Sequence, residues 1–169
     1  MAGFREQDPD GSPREPDVYR NAWQHTLDDM EAMADELEAD GWEVVTIPAG
    51  DTAPEHPDVG DSDRFGLVHV VPGNKADDLA ELVDGREFPT YDVYRATFQR
   101  RVFLVTALFD EDAKCAIMIA GTYERKHARQ LIETAREEGV MYTHVQRIDK
   151  TPVARFEHTD VEKFFPETE

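Results

Sequence analysis

The chain of 169 residues carries 37 Asp and Glu against 18 Lys and Arg, a formal net charge of -19, with a single cysteine. That length suits one domain able to bury about two thirds of the surface its unfolded chain exposes, so no disulfide or metal staple is required. Lone Cys115 excludes an internal disulfide and a cysteine-only zinc site, and no apolar run reaches the ~20 residues of a membrane-spanning helix.

Residues 1–17 hold three prolines, two glycines and five acids with little to bury, so they are expected to form a disordered acidic tail ahead of a single domain over 18–169. The same stretch lacks the apolar core of a signal peptide, which gives a cytoplasmic expectation. Asp17 caps a predicted helix over about 18–40, in which Ala22, Trp23, Leu27, Met30, Met33, Ala34 and Leu37 recur at three- and four-residue spacing. Gly41 stops it. Trp42 to Ile47 reads as a strand, followed by a long loop through Arg64 and a second strand from Phe65 to Val71. Asn74 opens a short helix ending near Val83. Three strands then follow closely, over 91–98, 101–109 and 114–120, and their short links dictate an antiparallel meander. A third helix is predicted over 124–138, then a hairpin of 140–148 with 153–158, and a final turn that docks Phe164 and Phe165. The expected class is α+β, a mostly antiparallel sheet of six or seven strands with about three helices packed on it. Two small sheets forming a sandwich are the competing layout.

Charge is unevenly placed along the chain. Residues 1–94 carry 6 basic and 24 acidic side chains, whereas 95–169 carry 12 and 13. Self-repulsion of the acidic part opposes folding in dilute buffer and is screened within ~3 Å at molar salt. With only five lysines beside thirteen arginines, the expectation is a salt-adapted, halophilic surface.

The segments YRNAWQHTLDDMEAMADEL, AGDTAPEHPDVGDSDRFGLVHVVP, IAGTY, MYTHVQRID and KFFP resemble an uncharacterised family of haloarchaeal proteins. The likeness runs from about residue 18 to 166. It implies a salt-rich cytoplasm and brings no activity, cofactor or site residue with it.

Candidate sites are few. Gly121, Thr122, Arg125 and Lys126 lie where a strand is expected to pass through a glycine turn into the third helix, and two cations at a helix start suit a bound phosphate or carboxylate. Thr122 acting as an ordinary N-cap is the competing explanation. Arg95, Arg100, Arg101 and Arg129 lie on neighbouring elements, where pairing with the protein's own acids competes with ligand binding. Tyr142, His144 and Gln146 alternate onto one strand face, where His144 with Tyr142 could carry protons. His69 shares the ambiguity of any strand histidine. Cys115 alternates with Ile117 and Ile119 and reads as a buried thiol. Asp110, Asp112 and Lys114 read as a hairpin link, and His56, Asp58, Asp61 and Asp63 lack the glycine and final glutamate of a calcium loop, so no metal is assigned. Neither a GxGxxG run nor a Walker lysine is present, and no cofactor is expected.

The leading functional expectation is a non-catalytic binding or regulatory module with a protein partner or self-association. The alternative is an enzyme or sensor for a small anionic metabolite. Nucleic acid is disfavoured by the overall charge and by salt, and no membrane partner is expected.

Overall fold

The computed structural model describes residues 15–56 and 65–166. Helix α1 spans Glu15–Ala39, followed by strands β1 (Glu43–Pro48), β2 (Asp51–Glu55) and β3 (Gly66–Val70), then helix α2 (Gly73–Val83). Strands β4 (Thr90–Phe98), β5 (Arg101–Asp110) and β6 (Cys115–Glu124) lead into a 3-10 turn, Arg125–Ala128, and helix α3 (Arg129–Glu138). Strands β7 (Met141–Gln146) and β8 (Pro152–His158) and a 3-10 turn, Val161–Phe164, complete the order.

The class is α+β, but the strands form two four-stranded mixed sheets rather than one sheet of six or seven. Their orders are β1-β6-β5-β4 and β2-β3-β7-β8. The 4–5–6 meander is antiparallel as expected, while β1 runs parallel to β6 and β3 parallel to β7. Parallel neighbours require long connections, and here whole sheets and helices supply them. The chain steps between sheets at Ala49 and Gly50: Ala49 N–H donates to the Ala120 carbonyl and Gly50 N–H to that of Val70, each at 2.9 Å. β2 falls inside the expected loop. As an edge strand it tolerates Pro54, whose missing N–H would break a central one. The tail expected over 1–17 lies, for residues 1–14, outside the described residues, and α1 is already helical at Glu15.

Alternation sorts the first sheet into two faces. Val105, Ala107, Met118 and Ala120 point outward beneath the apolar stripe of α1, where Met30 and Ala34 are buried. Val102, Leu104, Leu108, Ile117, Ile119 and Tyr123 point inward, toward the second sheet and the other two helices. α2 closes one end, packing Ala76, Leu79 and Leu82 against Ile47, Leu108, Ile117, Val71 and Val145. α3 and the C-terminal turn close the other, with Leu131, Ala135, Phe164 and Phe165 against Leu104, Tyr123, Leu67 and Met141. Fully burying one such side chain is worth ~1.5–3 kcal/mol, so these two end-plugs hold the sheets together. Tyr123 O–H donates to the Phe164 carbonyl at 2.8 Å, and Arg95 Nε–H donates to that of Phe165 at 2.7 Å. The docking of Phe164 and Phe165 onto the body follows directly.

Candidate functional site

Between the two apolar plugs the interior turns polar. On the inner faces the register places Thr106 between Leu104 and Leu108, His69 between Leu67 and Val71, and Thr143 between Met141 and Val145. Each of these three polar residues is fully buried. His69 Nδ1 is 2.9 Å from Thr52 Oγ1, and His158 Nε2 is 2.7 Å from Thr143 Oγ1. The remaining ring nitrogens, His69 Nε2 and His158 Nδ1, and the Thr106 hydroxyl find no hydrogen-bond partner among the described residues. Burial drives the His69 pKa down to about 3, with the neighbouring His144 and His158 adding to the effect, and burial lowers His158 to about 4. Both imidazoles are therefore neutral at physiological pH. The His158 ring lies 4.3 Å from that of Tyr91 and 4.6 Å from that of Phe164, so this end of the waist is sealed by aromatic rings.

Gly121 belongs to this waist and not to a turn. It pairs with Leu104 in mid-strand, and a Cβ there would meet Thr52 Oγ1 at 2.5 Å and His69 Cε1 at 2.9 Å. Its glycine makes room for the Thr52–His69 pair. Thr122 likewise continues β6, paired with Phe103, and does not cap α3, which begins at Arg129 without a side-chain cap. The expected glycine-turn anion site therefore separates into two places: Gly121 is committed to the interior, while Arg125 and Lys126 emerge at the end of the strand.

There the structure gathers cations that the sequence left scattered. Arg125 N–H donates to the Arg100 carbonyl at 2.8 Å, tying the 3-10 turn to the β4–β5 link. Arg100, Arg125, Lys126 and Arg129 line an open basin of about 210 Å³, and among the described residues no carboxylate lines it. Glu124 faces aside, 3.6 Å from His127 Nδ1. Arg100 and Arg125 also keep contacts within the chain. Of the other arginines singled out in this half, Arg95 is spent on the Phe165 carbonyl and Arg101 lies over the Tyr19 ring at 5.8 Å. Arg136 and Arg147 pair with Glu162 and Asp77, as abundant acids predict.

His144 and Tyr142 do share one face of β7, with ring centroids 6.0 Å apart. It is the face opposite to Thr143 and hence to His69 and the waist. His144 is buried, and the Tyr142 ring is covered by Arg155 at 5.0 Å. The proton-carrying pair and the cationic basin thus do not line one pocket. Cys115 is buried as expected, its thiol pKa raised by burial. The acidic loop residues Asp58, Asp61 and Asp63 lie outside the described residues. Among the described residues no three His, Cys, Asp or Glu side chains gather as a metal set, and no helix is long and apolar enough to cross a membrane.

The sequence pattern of a family of unknown function, DUF7529, matches residues 10–166. The chain belongs to that family. No curated protein and no solved structure matches it, so DUF7529 membership brings a fold-length sequence likeness and no chemistry.

Proposed function

We propose that this DUF7529 protein is a non-catalytic binding module that receives a small phosphate- or carboxylate-bearing anion in the basin of Arg100, Arg125, Lys126 and Arg129. One observation carries the reading: in a chain of net charge -19, four cations line one depression, with no acid in its wall among the described residues. Crowding like charges is unfavourable by ~1 kcal/mol per pair at 4 Å even in water, and an anion among them reverses the sign. Three guanidiniums offer planar forks that match two oxygens of a phosphate or carboxylate at once. A catalytic role for Tyr142 and His144 gains no support, because their face is separate from the basin. The surrounding acidic surface suits a salt-rich cytosol, where long-range repulsion of an anionic ligand is screened.

Calorimetric titration with inorganic phosphate, pyrophosphate and citrate in about 0.3 M and about 2 M potassium chloride tests this. Binding of at least one anion is expected, weakening with salt and lost in the Arg125→Ala/Lys126→Ala double variant. No heat from any of the three, or equal binding by the double variant, would sink the proposal.

A further inference from the structure

A second groove lies elsewhere, along the outer edge of β8. Its volume is about 610 Å³, and it is lined by five consecutive strand residues, Val153 to Glu157, facing the segment Val83 and Arg86–Phe88. Consecutive residues of a strand point to opposite faces, so a groove lined by all five runs along the strand's edge and not over one face. Among the described residues β8 is the last strand of its sheet, paired with β7 alone. Alternate residues of such a strand turn N–H and C=O groups outward, and no backbone bond from Val153–Glu157 to anything but β7 exists among the described residues. The walls sort by chemistry. Val83, Phe88, Val153, Ala154 and Phe156 are half-buried, with Phe88 and Phe156 ring edge to ring face at 6.2 Å. Arg86, Glu87, Arg155 and Glu157 are exposed along the rim.

We infer that this groove binds an extended polypeptide segment, which adds a fifth strand beside β8 and places apolar side chains over Phe88 and Phe156. The occupant follows from what the edge offers. A row of outward main-chain donors and acceptors repeating every second residue is matched only by another extended main chain, whereas a compact metabolite satisfies one pair. Five residues of strand span ~16 Å, so the segment contacts about that length. The rim carries two arginines and two glutamates, so within this very acidic chain the groove does not repel an acidic protein. The charges alternate along both walls, favouring a partner whose polar positions alternate in sign.

Selection from a displayed library of random octapeptides, in about 2 M potassium chloride, provides the test. Enriched sequences should alternate apolar and polar residues. A synthetic copy should bind and slow amide hydrogen exchange at Val153–Glu157. N-methylation of its alternate amides should weaken binding about tenfold or more, since that removes main-chain donors and leaves the side chains. Phe88→Asp should weaken it similarly. If that variant folds poorly, the exposed double exchange Arg155→Glu/Glu157→Arg should instead shift which peptides are selected. Undiminished peptide binding by Arg125→Ala/Lys126→Ala keeps this groove distinct from the basin. The inference is overturned if no sequence enriches above an unrelated acidic protein, if the N-methylated peptide binds as well as the plain one, or if exchange slows elsewhere and not along β8.

Discussion

Acidification from about pH 7.5 to about pH 5 should destabilise the protein through its two sealed histidines. Folding lowers the His69 pKa from 6.5 to about 3 and that of His158 from 6.5 to about 4. The unfolded chain takes up these protons as the pH falls through 6.5, and the folded chain does not, so stability is complete above that value and declines below it. At pH 5 the unfolded state is favoured by about 2 kcal/mol per histidine, hence about 4 kcal/mol for the pair. Against a total of ~5–15 kcal/mol for a typical domain, that loss is large, and it lowers the melting temperature by roughly 8–16 °C for a chain of this size. The carboxylates of Asp149 and Glu162, held low by Thr151 and Arg136, stay ionised throughout this window. Relief of the overall negative charge acts in the opposite direction, so the decisive comparison is with His69→Gln, in which that relief is unchanged. Chemical denaturation at both pH values, at fixed high salt, should show the wild type losing about 2 kcal/mol more than the variant. Equal losses in the two proteins, or a native His69 imidazole titrating near 6.5 by NMR, would refute the reasoning.

Three further outcomes follow from the waist and the surface. Gly121→Ala drives a methyl into Thr52 and the His69 ring and should cost ~1–3 kcal/mol by overpacking; a melting temperature equal to wild type would contradict the assigned contact. Thr106→Val replaces an unpartnered buried hydroxyl with a methyl of the same shape and should be neutral or stabilising by ~1–2 kcal/mol in denaturation, whereas a loss of that size would mean the hydroxyl is satisfied. Arg136→Ala breaks a two-pronged but exposed pair with Glu162 and should change stability by no more than ~1 kcal/mol, as double-mutant cycles with Glu162→Ala would measure.

Helices and antiparallel neighbours were legible because their information is local. The α1 stripe repeats every three to four residues, and the β4–β5–β6 links are too short for anything but hairpins. The split into two sheets stood only as the competing layout, because it rests on β1–β6 and β3–β7, pairs joined by no local signal. β2 was hidden by Pro54 and by acids at both ends of a short edge strand. Gly121 was misread as a turn although the alternation of Ile117, Ile119, Gly121 and Tyr123 runs unbroken through it. A glycine within a continuing strand pattern signals the close approach of another group, and here that group is His69. The position of His69 was also available in outline, since it shares parity with Leu67 and Val71. Nothing local linked it to Thr106 or to His158. The basin was half visible: Arg125 and Lys126 stood out, but Arg100 joins them only through the backbone bond that closes the end of β6.

The sequence divides into a very acidic first part and a nearly neutral second, yet the fold does not keep those parts apart. β1 from the first half lies against β6 from the second, and β3 against β7, so the interior is built from both. The asymmetry survives only on elements whose exposed faces come from one half. α1 and α2 present their acids over the first sheet and one end of the molecule, while the β4–β5 link, the 3-10 turn and α3 present the basin. A uniform salt-solvating coat would need no such division. Arg100 from the β4–β5 link, Arg125 and Lys126 from the 3-10 turn and Arg129 from the start of α3 converge on a single depression. That convergence, produced by folding and invisible in the charge count, is the physical reason for placing ligand recognition at the basin.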